Sequence, residues 1–240
     1  MANEDKAWTA GEISKLTMSA GDLAKGLSEN AVAALLQKGR IERFAKGQTI
    51  LERDTGVAKF FLALEGTARL VALTEDGREF VSGFMGPGRV WGVHPCLDET
   101  PESYDTHAES ACAVLVVESK DLRDLMWQNR ELQEAMTKIL CRRLKLALTV
   151  LEQFATWSPR QRLAWRILQI VDGGMGVGAE FGRHSIAISQ DAIAAMIGLS
   201  RQRTNKLLKE FEREGFVRID YGSIRVIEPG GLKIVLKDLS

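Results

Sequence analysis

The stretch from Lys120 to Phe154 carries neither glycine nor proline and repeats its apolar residues with helical periodicity. These 35 residues would span roughly 50 Å as one straight α-helix, because each residue adds ~1.5 Å. A chain with such a helix cannot fold as a sheet alone. A polar Asn129 interrupts the pattern, so the sequence predicts a short helix followed by a long one.

The second part of this stretch has apolar residues at intervals of 4, 4, 3, 4 and 3, which is a heptad-like seam: Met136, Leu140, Leu144, Ala147, Leu151 and Phe154. A second apolar stripe contains Leu132, Ala135, Ile139, Leu146 and Val150. One stripe can pack on the chain's own domain and the other on a second subunit. The pattern therefore predicts a homodimer through the six seam residues. One ordinary buried helix is the alternative interpretation.

Short strand-like segments precede this helix. Glycines at positions 39, 47, 56, 66, 77 and 86 separate alternating or apolar runs over 40–44, 60–64, 67–73 and 80–85, and strands resume over 106–109 and 111–118. Glu75-Asp76-Gly77 is a hairpin signal. This regular spacing predicts a sandwich or a rolled-up sheet. Ser28 is expected to cap a helix over 29–38 that Gly39 ends, and residues 1–20 are expected to be weakly structured.

The last sixty residues alternate helix and turn signals. Pro159 is suited to start a helix over 160–171, and a glycine-rich loop is expected over 172–183. A short strand over 184–188 precedes a helix over 190–197 that Ser189 can cap, Gly198 breaks this helix, and Ser200 can cap a second helix over 201–214. A hairpin over 216–220 and 223–227 follows, with its turn at Tyr221-Gly222. The order predicts a winged helix-turn-helix.

Basic and amide side chains concentrate on the second of these helices. Residues 199–218 contain six basic and three acidic residues, a local charge of +3 in a chain whose net charge is zero. Arginine can bond guanine in the major groove, and glutamine or asparagine can bond adenine. A solvated basic face is the alternative, but it does not explain the clustering directly after a capped turn. The predicted DNA-binding residues are Ser189, Gln190, Ser200, Arg201, Gln202, Arg203, Asn205, Lys206 and Lys209.

Composition excludes several other classes. No apolar run approaches the ~18 residues of a membrane-spanning helix, and Met1–Thr17 is too polar for a secretory signal. The three cysteines, Cys96, Cys112 and Cys141, have no disulfide or zinc-site spacing, so we expect a cytoplasmic protein without a bound metal. No paired histidines, phosphate-binding loop or nucleophile elbow occurs, so we do not expect an enzyme.

This organisation resembles the cyclic-AMP receptor protein/FNR (Crp/Fnr) family of bacterial transcription regulators. The resemblance rests on residues 198–215 (GLSRQRTNKLLKEFEREG), Cys-Arg-Arg-Leu at 141–144 and Phe-Phe-Leu-Ala-Leu-Glu-Gly at 60–66. It implies an α+β chain with a double-stranded β-roll sensor domain of the jelly-roll, cyclic nucleotide-binding-like type over 28–118, after an N-terminal extension, 1–27. A dimerisation helix over 119–157 and a winged helix-turn-helix domain over 158–240 would follow.

The resemblance also implies partners and base-reading positions. A homodimer would read a two-fold-related site in double-stranded DNA, with RNA polymerase as a further partner. By register the base-reading residues fall at Arg201, Gln202 and Lys206. Many family members have Glu and Arg at the last two positions, so the half-site sequence is expected to differ.

The sensor segment departs from the cyclic-AMP-binding members. Val93 stands where those members have the ribose-binding Glu, and no arginine occurs between Trp91 and Val117 to pair with a cyclic phosphate. Ala147 and Leu148 replace the hydroxyl side chains of the long helix. We therefore expect no response to cyclic AMP, and either an apolar effector or none. The pocket would contain Trp91, Val93, His94, Ala147 and Leu148, with Trp127 as a further candidate.

Two alternatives to an apolar effector stay open, whereas an iron–sulfur cluster is excluded. An iron–sulfur cluster would need four cysteines, and this chain has three. A haem-based gas sensor is the first alternative, because the sequence position of His94 falls close to that of the histidine in the carbon-monoxide-sensing members. A non-classical cyclic-nucleotide response, with Arg69 or Arg89 as the basic group, is the second.

Overall fold

The computed structural model describes residues 7–19, 23, 26–56, 58–73, 79–171, 185–186, 190–220 and 223–237. The predicted hairpin turn at 75–77, the loop at 172–183 and the turn at 221–222 lie outside these residues. The chain divides into two compact units, one of Met1–Ala72 with Ser82–Lys145 and the other of Leu73–Val81 with Leu146–Ser240. None of the described helices is long and apolar enough to cross a membrane.

Among the described residues, eight strands form two four-stranded sheets, most of which lie in the first unit. In chain order they are β1 Arg40–Phe44, β2 Thr49–Leu51, β3 Lys59–Glu65, β4 Ala68–Leu73, β5 Glu79–Met85, β6 Val90–Trp91, β7 Asp105–Ala108 and β8 Cys112–Glu118. The sheet orders are β1-β8-β3-β6 and β2-β7-β4-β5. The predicted rolled-up sheet is therefore confirmed, and the two shortest strands, β2 and β6, are additions to the prediction.

Both faces of the two central strands are buried, which places the core of this unit. On β8, Ala113, Leu115 and Val117 join a cluster with the helices, whereas Val114 and Val116 face the second sheet. β3 divides its side chains between the same two clusters. A strand buried on both faces reads as a continuous apolar run, as these two do in the sequence.

Four short helices complete the first unit: α1 Ala10–Ser19, α2 Glu29–Lys38, α3 Val93–Asp98 and α4 Ser119–Gln128. The prediction for α2 is confirmed, since the Ser28 hydroxyl accepts the N–H of Ala31 at 3.2 Å and α2 ends before Gly39. The expectation of weak structure over residues 1–20 is wrong for α1, because Ile13 and Thr17 are fully buried.

A capping box starts α1 and is the signal that the sequence analysis missed. The N–H of Thr9 donates to the Glu12 carboxylate at 2.9 Å, and the N–H of Glu12 donates to the Thr9 hydroxyl at 3.3 Å. Helix α1 therefore contributes Ile13 to the core of the first unit.

The long helix, α5, spans Arg130–Thr156, 27 residues. The predicted break is confirmed at Asn129, whose Oδ1 accepts the N–H groups of Glu131 and Leu132 at 3.0 and 3.2 Å. Met136 is fully buried in the core of the first unit with Leu132 and Ile139. Its assignment to the dimer interface is therefore wrong, because a partner subunit has no access to a side chain that its own domain covers.

The second unit contains α6 Pro159–Val171, β9 Ser185–Ile186, α7 Gln190–Ile197, α8 Arg201–Arg213, β10 Val217–Asp220, β11 Ser223–Val226 and α9 Pro229–Val235. The strands form one antiparallel sheet in the order β10-β11-β9. The predicted winged helix-turn-helix is confirmed. Helix α9 was not predicted, since its glycine pair hides the signal. Glu228 caps it by accepting the N–H of Gly230 at 2.8 Å, and Leu232 is buried.

A buried acid lies where α3 begins. Gly92 has φ +76°, and a side chain there would place its Cβ 1.8 Å from the carbonyl oxygen of Lys59 and 3.3 Å from Oε1 of Glu102. Glu102 is 5% exposed, and its Oε1 has no hydrogen-bond partner within the described part of the chain. Burial raises the pKa of Glu102 to about 7, although the N–H of Ser103 and the charge of Arg143 act in the opposite direction.

Replacing Glu102 by Gln is expected to change how stability depends on pH. Because the folded-state pKa, about 7, exceeds the ordinary value of 4.5, Glu102 contributes stability that is fully present below pH 4.5. This contribution is lost as pH rises through 7. Between pH 5.5 and 8 the wild-type protein should lose ~1–2 kcal/mol of unfolding free energy relative to E102Q. Chemical unfolding of both proteins at several pH values measures this difference.

Glu52→Gln is the matched control, because it makes the same chemical change at an exposed position. E52Q should follow the wild-type profile. A parallel pH dependence of wild type and E102Q would contradict the assignment of Glu102 as the titrating group.

Candidate DNA-binding surface and sensor site

The turn between α7 and α8 determines the geometry of the helix-turn-helix. Gly198 adopts φ +66°, a left-handed conformation that favours glycine. The N–H of Leu199 donates to the carbonyl of Ala194 at 3.0 Å, and the Ser200 hydroxyl accepts the N–H of Arg203 at 3.3 Å. The predicted N-cap of α8 is thereby confirmed. It orients the first turn of α8 and satisfies one of its free N–H groups.

Helix α8 is held by its apolar face. Thr204, Leu208 and Phe211 are buried, and Leu207 beside them is half-buried. This face packs against α6 and α7. The remaining side chains of α8 are therefore fixed on the opposite face.

The outer face of α8 is exposed and basic. Arg201, Gln202, Arg203, Lys206 and Lys209 are all exposed, as predicted for the groove-facing residues. Asn205 differs, because it is half-buried and its Oδ1 is buried without a hydrogen-bond partner among the described residues. Gln190 is half-buried at the start of α7, and Ser189 lies outside the described residues.

Two ion pairs neutralise acidic side chains at the C-terminal end of α8. The Arg160 guanidinium of α6 lies 4.8 Å from the centre of the Phe211 ring and binds the carboxylates of Glu210 and Glu214. These acids belong to the C-terminal end of α8. Because they are paired inside the unit, the N-terminal half of α8 keeps its positive charge, where the helix dipole adds to it.

The wing carries two arginines that the sequence analysis did not assign to DNA binding. Arg218 on β10 and Arg225 on β11 are register partners in the antiparallel pair, and both are exposed. Arg225 lies 3.8 Å from the carboxylate of Asp220. This cross-strand pair of cations becomes recognisable only once the hairpin register is known.

The C-terminal half of α5 exposes the apolar seam. Leu144 is 62% exposed, Leu148 57% and Leu151 68%, and Ala147 and Phe154 are exposed as well. Leu140 is half-buried. Contiguous exposed apolar side chains of this size mark an interaction surface.

The predicted effector residues have different surroundings. Trp91 is buried and stacks on Phe61 with ring centroids 4.9 Å apart, and Val93 is fully buried. His94 lies on α3 with part of its surface exposed, and the partial burial of its ring, followed by the charge of Arg143, lowers its pKa. Ala147 and Leu148 are exposed on α5, beyond the end of the first unit. Trp127 is also exposed.

The sequence analysis overlooked Glu102, a buried acidic side chain of the first unit. A single glutamate in a segment with several acids gives no signal of its own, since burial decides its chemistry. Burial likewise raises the pKa of Cys96 to about 12 and that of Cys112 to about 11, so neither is a ready thiolate ligand. Among the described residues, no three His, Cys, Asp or Glu side chains come together as a metal site.

Comparison with known proteins agrees with both halves of this description. Residues 41–129 match the cyclic nucleotide-binding domain, and residues 161–234 match the Crp-like helix-turn-helix domain. The chain is 24% identical over 204 residues to a CRP-like cAMP-activated global transcriptional regulator of Mycobacterium tuberculosis, covering 84% of this chain and 90% of the relative. It is 26% identical over 212 residues to the cyclic AMP receptor protein of Thermus thermophilus, covering 88% and 94%.

Solved structures share the fold. The structure of FixK2 from Bradyrhizobium japonicum superposes with a TM-score of 0.69 at 17% identity, covering 82% of this chain and 96% of that one. The two domain matches together span more than half of the chain, in the order that the structure shows. The chain belongs to the Crp/Fnr family of transcription regulators.

Proposed function

We propose that this regulator acts as a homodimer that binds a two-fold-related DNA site. An uncharged effector, rather than cyclic AMP, would switch it, or it would act without an effector. The observation that carries the proposal is the exposed, capped, basic N-terminal half of α8. As a regulator of transcription it would work in the cytoplasm, with DNA and RNA polymerase as partners. We propose no cofactor.

Recognition of DNA would use the first two turns of α8 in the major groove. Arg201 and Lys206 suit guanine, and Gln202 suits adenine. Ser200, Arg203 and Lys209, with Ser189 and Gln190 at the start of α7, would contact the backbone, and half-buried Asn205 would lie at the edge of the contact. Two copies of α8 would enter successive major grooves ~34 Å apart.

Dimerisation would use the exposed seam of α5 from Leu140 to Phe154. Large exposed leucines are costly in water, and burying each contributes ~1.5–3 kcal/mol. A second copy of α5 supplies the complementary apolar face, as in other two-stranded helical seams.

The charged groups of the first unit support the proposal of an uncharged effector. The sensor core contains a buried carboxyl group, Glu102, and no arginine occurs between Trp91 and Val117. The ionised form of this carboxyl group would repel an anionic phosphate. An effector that changes packing around Trp91, Val93 and His94 and along Ala147 and Leu148 would alter the spacing of the two α8 helices.

A cyclic-nucleotide response is the second candidate function. It is favoured by the match to the cyclic nucleotide-binding domain and by the relative named as cAMP-activated. The haem alternative depends on His94, whose lowered pKa favours the neutral imidazole that binds iron. An absorption spectrum of the purified protein tests that alternative directly.

Neutralising the outer face of α8 should abolish specific DNA binding. The triple variant R201Q/R203Q/K206Q removes charges that would contact bases and phosphates, so affinity should fall at least ~100-fold and the salt dependence should weaken. Fluorescence anisotropy with genomic target fragments at several salt concentrations measures both. Lys233→Gln, an exposed cation on α9, is the control and should bind like wild type. Unchanged binding by the triple variant would overturn the proposal.

Placing charge on the seam should separate the subunits. L144D/L151D would bury two carboxylates in the proposed interface, so we expect a monomer at concentrations where wild type is dimeric. Sedimentation velocity measures the distribution. Ile234→Asp, an exposed apolar residue outside the seam, is the control and should remain dimeric. A dimeric L144D/L151D variant would show that the interface lies elsewhere.

Cyclic AMP should leave DNA affinity unchanged within twofold, because no arginine occurs between Trp91 and Val117 to pair with the cyclic phosphate. Titrating cyclic AMP into the DNA-binding assay and into isothermal calorimetry checks both binding and response. A saturable increase in affinity would establish the second candidate instead.

A further inference from the structure

Two arginines of α6 lie two residues apart and have opposite electrostatic surroundings. Arg160 pairs with the carboxylates of Glu210 and Glu214. Arg162 makes no ion pair within the described ranges, and its Nε is buried there without a hydrogen-bond partner. The charge of Arg162 is therefore available to an outside anion, whereas that of Arg160 is used inside the unit.

The position of Arg162 is fixed by an aromatic ring. Its guanidinium carbon lies 4.7 Å from the centre of the Phe154 ring. A cation held over a ring in this way loses little further freedom when it binds a ligand. Phe154 itself lies against the turn of the helix-turn-helix, since a Cβ on Gly198 would be 2.9 Å from its Cε1 and 4.0 Å from Nη1 of Arg162.

The charged group that acts on Arg162 is also a cation, the guanidinium of Arg203. Burial lowers the pKa of Arg162, and the positive charge of Arg203 lowers it further. Arg203 is exposed in the first turn of α8 and has no ion pair among the described residues, whereas Arg201 lies 3.1 Å from Asp191. A Cβ on Gly198 would lie 4.0 Å from Nη1 of Arg162, and Arg203 follows the N-cap of α8. The turn before α8 therefore has two guanidinium groups on it that make no ion pair among the described residues, beside the positive end of a helix.

An anion between the two groups would remove this repulsion. Phosphate accepts two parallel hydrogen bonds from a guanidinium group, and the phosphate that a DNA-binding helix meets is that of the DNA backbone. We propose that Arg162 and Arg203 together bind one backbone phosphate at the turn before α8. The inference rests on the proposed function and adds a residue, Arg162, that lies outside the helix-turn-helix itself. Its role is to set the depth and angle of α8 rather than to read bases.

A phosphate contact has a signature that distinguishes it from a structural role. Each phosphate neutralised on duplex DNA contributes ~0.9 to the slope of log affinity against log salt concentration. Losing Arg162 from both subunits of the dimer should therefore lower that slope by up to about two, to the same extent on every sequence. A residue that only stabilises the fold would change the unfolding temperature and leave the slope alone.

The experiment compares Arg162→Gln with Arg160→Gln, two neutralisations on one helix. The full chain is titrated against a duplex of arbitrary sequence, long enough for two half-sites, at several salt concentrations. R162Q should bind about fivefold more weakly and with the reduced slope, whereas R160Q should keep the wild-type slope and unfold at a lower temperature. Arg162→Lys should keep the slope, because it keeps the charge, and lose only part of the affinity.

A double-variant cycle tests whether one phosphate is shared. If Arg162 and Arg203 bind the same phosphate, R162Q/R203Q should lose less affinity than the product of the two single losses. An unchanged slope in R162Q, or independent effects of the two arginines, would overturn the inference and leave the proposed function standing. Should R162Q fail to fold, the R203Q slope and the R162K affinity decide the same point. A wild-type chain that shows no salt-dependent DNA binding would overturn both.

Discussion

The structure depends on one uninterrupted helix whose apolar face changes its surroundings along its length. In its first half, Leu132, Met136 and Ile139 belong to the sensor core, and in its second half Leu144, Leu148 and Leu151 are exposed. The division between the compact units falls within this helix, at Lys145. The helix therefore contributes residues to both units.

Much of this organisation is readable from the sequence because local signals agree with the tertiary structure. Ser28 and Ser200 each sit before an apolar helical pattern and do cap α2 and α8, and Asn129 ends one helix and starts the next. Helices α3 and α9 escaped the sequence analysis, since each is short and contains proline, and their existence depends on tertiary packing. Met136 and Glu102 could not be assigned from pattern alone, because burial by distant segments decides whether a seam residue is covered and whether an acid holds a proton.

The comparisons separate what the family shares from what this chain changes. Relatives and solved structures at 16–26% identity retain the two domains and their order. Identity this low leaves the chemistry to individual side chains, such as Gln202 on α8 and the buried Glu102 beside Gly92. Fold therefore indicates the type of regulator, whereas the individual side chains indicate which signal and which DNA sequence it uses.

The contact of Phe154 with the helix-turn-helix turn has a consequence for dissection of the protein. A fragment that starts at Pro159 would discard the ring on which Arg162 stacks and would uncover Gly198. A longer fragment that starts at Leu146, where the second compact unit resumes on the long helix, keeps these partners. The last turns of the long helix thus act as a built-in cap for the C-terminal domain.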